Sequence, residues 1–206
     1  KLNDVTIFNC FNYGIGVQAG TNKNMRCTDI IIHTTGQDGI DIKDYDLANE
    51  TFFITNYTSY NYGLTTEGQV ALDVRGPVLA VNISANITNG ADMGVRLRHK
   101  TVQGRDGTGS ISGLSIVGDG VNTGSIGLDI ASNSNNWTIS DVTCDGTGLA
   151  LRFGLVGGII NGLAAKNIFG TEALSLSGEG GIFSNFNIIT LPSSSRVVDF
   201  EPTASN

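Results

Sequence analysis

Almost nothing in this sequence speaks for helices. Runs of Ala, Glu, Lys and Leu are absent, and only 15% of residues are charged, too few to give amphipathic helices their solvent-facing stripes. Three prolines interrupt the 206 residues, so extended segments can run on, while 28 glycines supply many turns. Basic residues are scarce as well: 12 Lys and Arg against 19 Asp and Glu give a formal charge of −7 and a pI of about 4.6. A protein that tracks a phosphate backbone needs clustered cations, which argues against nucleic acid as a partner. No run of about 18 apolar residues occurs, which argues against membrane insertion, and Lys1-Leu2-Asn3-Asp4 enters a strand-like pattern without a charged-then-apolar leader. Cys10, Cys27 and Cys144 cannot all pair and match no zinc or redox spacing, so they read as small buried hydrophobes. Asn-X-Ser/Thr sequons begin at Asn49, Asn56, Asn82, Asn86 and Asn136, about as many as so Asn-, Ser- and Thr-rich a chain yields by chance.

What the sequence has is a degenerate repeat: a short apolar alternation, a polar corner, then Gly-apolar-X-apolar. Val5-Thr6-Ile7-Phe8 leads to Gly14-Ile15-Gly16-Val17, and Asp29-Ile30-Ile31-Ile32 to Gly39-Ile40-Asp41-Ile42. The later endings are Ala71-Leu72-Asp73-Val74, Gly94-Val95-Arg96-Leu97, Gly127-Leu128-Asp129-Ile130, Gly148-Leu149-Ala150-Leu151, Ala173-Leu174-Ser175-Leu176 and Val197-Val198-Asp199-Phe200. Units of roughly 20 to 33 residues are in the solenoid range. Period-2 alternation marks strands with one buried face, and the short Gly/Asn/Ser/Thr-rich joints leave no room for crossover helices. A leucine-rich horseshoe would need a fixed Leu-X-X-Leu-X-Leu-X-X-Asn spacing that is missing. The expected fold is therefore all-β, a right-handed parallel β-helix of roughly eight coils. It is expected to form one domain over residues 1–206 and, since no capping segment is visible at either end, to be part of a longer chain. Longer gaps at Tyr60–Gln69 and Lys100–Gly113 are expected on the binding face.

Aligned on Gly-apolar-X-apolar, the X positions read Gly16, Asp41, Asp73, Arg96, Asp129, Ala150, Ser175 and Asp199, and two residues later Gln18, Lys43, Arg75, Arg98, Ala131, Arg152, Ser177 and Glu201. Both columns should point outward, with successive rungs about 4.8 Å apart. Such a ridge suits a polysaccharide, and three chemistries are open. Hydrolysis needs two carboxyls roughly 5 to 9.5 Å apart, which makes Asp41, Asp73 and Asp129 the candidate catalytic residues, with Arg96 favouring the ionised form of its neighbours and the proton donor unassigned. β-Elimination needs a neutralised uronate and a base, for which Asp41 and Asp73 with Lys43 or Arg98 would serve, Ca²⁺ being an optional cofactor held on Asp38, Asp41, Asp44 and Asp46. Binding without turnover needs only the substrate-binding set Lys43, Arg75, Arg96, Arg98 and Arg152, aided by Tyr45, Tyr57, Tyr60 and Tyr62. Alternating Asp and Arg would equally form a salt-bridged ladder that keeps like charges apart. His33 and His99 are scattered and read as surface or satisfied residues.

The whole chain resembles the pectate-lyase-like superfamily of parallel β-helices. Asp38-Gly39-Ile40-Asp41-Ile42 and Val198-Asp199-Phe200-Glu201-Pro202 are similar to phrases in bacteriophage tailspike and neck-appendage proteins. Thr35-Gly36-Gln37-Asp38-Gly39-Ile40-Asp41 is similar to the Asn-Thr-Asp-Gly-Ile-Asp of polygalacturonases, but an Asp-Asp pair on the next coil and a Gly-His-Gly are both missing. The tailspike resemblance implies a homotrimer in a virion tail that recognises, and depolymerises or merely binds, a bacterial surface polysaccharide. The alternatives are a secreted lyase or glycoside hydrolase acting on polyuronides, and a non-catalytic structural β-helix.

Overall fold

The computed structural model describes residues 1–17, 25–42, 52–75, 78–88, 92–98, 109–121, 123–130, 135–154, 156–177, 179–190 and 196–200. All regular structure among them is β, and none of them belongs to a helix long and apolar enough to cross a membrane. Odd-numbered strands build one eight-stranded sheet and even-numbered strands a second, with every pairing parallel. The long strands are β1 (Leu2–Cys10), β3 (Arg26–Thr35), β5 (Phe52–Tyr60), β7 (Val78–Asn86), β9 (Gly109–Val117), β11 (Asn135–Asp145), β13 (Val156–Ile168) and β15 (Glu179–Thr190). The short strands are β2 (Ile15–Val17), β4 (Ile40–Ile42), β6 (Val70–Val74), β8 (Met93–Leu97), β10 (Ile126–Ile130), β12 (Leu149–Phe153), β14 (Glu172–Leu176) and β16 (Arg196–Phe200). Each turn of the chain lays one long and one short strand on the turn before, so the molecule is the expected β-solenoid.

The alternation explains the core. Ile30, Ile32, Ile54, Ile83, Leu114 and Trp137 from the long strands meet Ile40, Leu72, Val95, Leu128 and Leu151 from the short ones, all essentially without solvent contact. Where a short strand begins, the chain passes close to the opposite wall. A Cβ on Gly39 would collide with the Tyr57 hydroxyl, which donates to Ala71 O at 2.6 Å, so Gly39 has no room for a side chain, and the equivalent positions from β2 to β14 hold only Gly or Ala. That degeneracy corrects the sequence alignment at one coil. Ile126 pairs with Leu149 and Leu128 with Leu151, so Gly127 lies beside Ala150, and Gly148 falls two residues too early. Arg152, not Ala150, is the neighbour of Asp129.

Every long strand carries a bend at the same height. Asp4, Asp29, Asn56, Asn82, Gly113, Asp141, Gly162 and Asn185 all have φ between 53° and 80°, and the registers on either side align them across all eight strands. Only Gly, Asn and Asp tolerate this left-handed conformation cheaply. Their side chains also cross-link the rungs: Asn56 Nδ2 donates to Asp29 Oδ1 at 2.8 Å, and Asn82 Nδ2 to Asn56 Oδ1 at 3.0 Å. Two of the sequon asparagines thus have structural work inside the ladder. Asn82→Val is expected to destabilise by about 1–3 kcal/mol in urea unfolding, because a β-branched residue is forced to positive φ and a ladder bond is lost.

Candidate functional site

The register builds one charged row on the short-strand sheet. Gly16, Asp41, Asp73, Arg96, Asp129, Arg152, Ser175 and Asp199 occupy equivalent positions on β2, β4, β6, β8, β10, β12, β14 and β16. Arg75 and Arg98 follow β6 and β8 directly, each donating its backbone N–H to the preceding rung. Lys43, Tyr45, Asp44, Asp46, His99, Gln18, Ala131 and Glu201 lie outside the described residues.

The expected exposed acidic ridge is instead a buried one. Asp41, Asp73 and Asp129 are 1%, 0% and 3% exposed, although their side chains point away from the solenoid core. Arginines cover Asp73 and Asp129. Both oxygens of Asp73 accept from Arg98, through Nε at 2.9 Å and through Nη2, and Arg75 Nη2 stands 3.5 Å from Oδ2. Asp129 accepts Arg152 Nε at 2.7 Å and Nη2 at 2.8 Å, and Arg96 Nε at 3.1 Å. Arg96 also points an Nη2 at Met93 Sδ, 2.9 Å away, so it is packed as well as paired. The guanidinium-bearing side chains keep 18 to 45% of their surface in solvent, while their carboxylate partners keep 1 to 4%. Buried forks of this kind fix the direction of each guanidinium plane.

Two further acids matter that the column did not include. Asp38 accepts the Val70 N–H on Oδ1 at 2.7 Å, and Asp92 accepts the Gln69 N–H on Oδ1 at 2.9 Å, so each caps the entry to a short strand on a neighbouring rung. Ser125 Oγ takes the same role for Gly148 N at 2.9 Å. Burial pushes both carboxyls up to about 7, the backbone bonds opposing this, and neighbouring Asp73 and Asp41 add to it at Asp38 while Asp38 and Glu67 add to it at Asp92. One oxygen from each of Asp38, Asp41 and Asp73 lies within 4.8 Å of the others. Arg98 already donates to both oxygens of Asp73, so a divalent cation there would share that carboxylate with a guanidinium.

Tyr57, Tyr60 and Tyr62 are not beside this row as expected. Tyr57 and Tyr62 are core residues whose hydroxyls donate to Ala71 O and Met93 O, and Tyr60 faces outward from the long-strand sheet instead. The segment 61–69 runs along the preceding turn, Gly63, Leu64 and Thr65 donating to Gln37, Thr35 and Gly36 carbonyls. Cys27 and Cys144 are buried thiols with raised pKa, Cys144 to about 12, which makes them packing residues rather than nucleophiles. His33 is half-buried on the outer face, its Nδ1 2.6 Å from Thr34 Oγ1.

The row offers a rigid line of partly exposed guanidiniums above the engaged carboxylates of Asp73 and Asp129. Chemically it can grip acid and hydroxyl groups; Asp73 and Asp129 have almost no surface to present to a glycosidic oxygen. The chain matches no protein-family model, no curated protein and no solved structure.

Proposed function

We propose that this β-solenoid binds an acidic polysaccharide along the short-strand sheet, in the manner of a tailspike-like recognition protein. The contrast in exposure carries the reading: Arg75, Arg96, Arg98 and Arg152 reach solvent while Asp73 and Asp129 are sealed beneath them as counter-ions. From β6 to β12 the arginines span three rung steps, roughly 14 Å at the spacing of parallel strands. Pre-oriented forks lose little entropy on meeting carboxylates, so a repeating acid on an extended chain is the ligand they suit.

The test is affinity electrophoresis in polygalacturonate and alginate gels. The Arg98→Ala/Arg152→Ala double variant, checked for folding by circular dichroism, is expected to bind at least tenfold more weakly, with Arg98→Lys intermediate because it keeps the charge and loses the fork. Retention equal to wild type sinks the proposal.

Turnover is a second reading, favoured by Asp38: a carboxyl with a pKa of about 7 next to Asp41 is suited to donate a proton to a leaving oxygen. Burial of both acids works against it, and neither new reducing ends nor unsaturated-uronate absorbance is expected from the bound polymer. A homotrimeric assembly and a virion or secreted location go with the tailspike-like reading, and light scattering checks the first.

A further inference from the structure

The opposite face of the solenoid carries a feature that the charged row does not explain. Phe8, His33 and Tyr60 occupy one register position on β1, β3 and β5. Their rings form an outward ladder, with centroids 5.8 Å apart at both steps and planes tilted by 49° and 47°. They alternate with the core residues Ile32 and Ser59, so they do not contribute to the interior, and Phe8 is 63% exposed. A half-buried aromatic stack that ends in an exposed ring presents a hydrophobic surface that the described residues do not cover completely.

Beside the ladder lies a cavity of about 340 Å³ lined by His33, Tyr60, Asn61, Asn86, Thr88 and Asp119. The next positions in the aromatic row are Asn86 and then Val117, so the ring platform passes directly into amide and carboxylate groups. The Thr34 hydroxyl holds the His33 ring, and Thr88 Oγ1 donates to Asn61 Oδ1 at 3.3 Å, which fixes that amide. Among the described residues no Lys or Arg lines this cavity, so they offer an anionic ligand no Lys or Arg counter-charge there. Past Val117 a second cavity, also about 340 Å³, is lined by Ser115, Thr143, Asp145, Lys166 and Asn187 among others, with Lys166 Nζ 3.0 Å from Asp145. The two share Val117 and lie end to end from β3 to β15, six rung steps or roughly 29 Å.

We propose that the outer face of the long-strand sheet is a separate carbohydrate groove for a neutral, hydroxyl-rich glycan chain, with Tyr60 and His33 as the stacking platform and Asn86 and Asp119 as hydroxyl partners. Ring faces pack on the apolar C–H surfaces of sugars, and neighbouring amide and carboxylate groups bond the hydroxyls, which is the mixed lining that small polar ligands need. The groove lies on a different sheet from the arginine row and stands or falls independently of it.

The experiment is an aromatic ¹H–¹³C NMR titration of the whole chain with neutral gluco-, galacto-, manno- and xylo-hexaoses at millimolar concentration. At least one is expected to shift the Tyr60 and His33 ring signals. The Tyr60→Ala/Asn86→Ala variant should then bind it at least tenfold more weakly while its retention in polygalacturonate gels is unchanged, and Tyr60→Phe should keep most of the affinity. Ring signals that stay still with every hexaose overturn the proposal. So do affinity that survives in the double variant, and ring signals that shift with polygalacturonate or with protein concentration alone.

Discussion

Asp129→Ala is expected to cost about 3 kcal/mol or more in urea unfolding, the range for removing one partner of a buried ion pair. The argument is local. Asp129 accepts three bonds from two arginines and has almost no solvent contact, so its loss leaves Arg96 and Arg152 flanking an empty acceptor site on β10. Arg152 is nearly half exposed and recovers hydration; Arg96, at 18%, recovers less, which places the cost near the lower end of that range. Asp129→Asn, which keeps the volume and one acceptor, should cost clearly less. Binding should fall further than stability, because the guanidiniums lose the forks that orient them while remaining charged. A variant that unfolds like wild type would mean that the row is a surface feature of little energetic weight.

Raising the pH from 5 to 8 is expected to lower the melting temperature. Asp38 and Asp92 titrate near 7 when folded and near 3.9 when unfolded, so between those values the folded chain holds more protons. Their contribution is full below about pH 4 and is lost as pH rises through 7. Asp145 works in the opposite sense: hydrogen bonds from Lys166 and Asn167 lower its pKa, but its window lies at and below pH 4, outside the range compared. Scanning calorimetry at pH 5 and 8 checks the sign. Asp38→Asn, which keeps an acceptor for Val70 N–H, and Asp92→Asn should each flatten the dependence. A wild-type protein more stable at pH 8 would contradict the burial of these two carboxyls.

The alternation of Trp137, Thr138 and Ile139, or of Leu128, Asp129 and Ile130, is enough to orient a strand, which is why the solenoid and most of the charged row were legible in the sequence. The row slipped at β12 because the position under Gly127 demands only a small residue, and Gly148 and Ala150 both satisfy that demand in the sequence. The burial of Asp41, Asp73 and Asp129 was illegible for a different reason. Period 2 separates core from outside but says nothing of what long arginine side chains then lay over the outside. Asp38 and Asp92 act through bonds to backbone on other turns, at Val70 and Gln69, which only the register of the coil brings near. The bend ladder, in contrast, is written in the sequence: Asp4, Asp29, Asn56, Asn82 and Asp141 each break an apolar alternation with a residue suited to positive φ.

The most direct test compares polygalacturonate with its fully methyl-esterified form, which removes the charge and keeps the chain. Binding by isothermal calorimetry at low salt is predicted for the acid, weakening as salt is added, and at least tenfold poorer for the ester. Equal binding of the two polymers would contradict recognition by the arginine row.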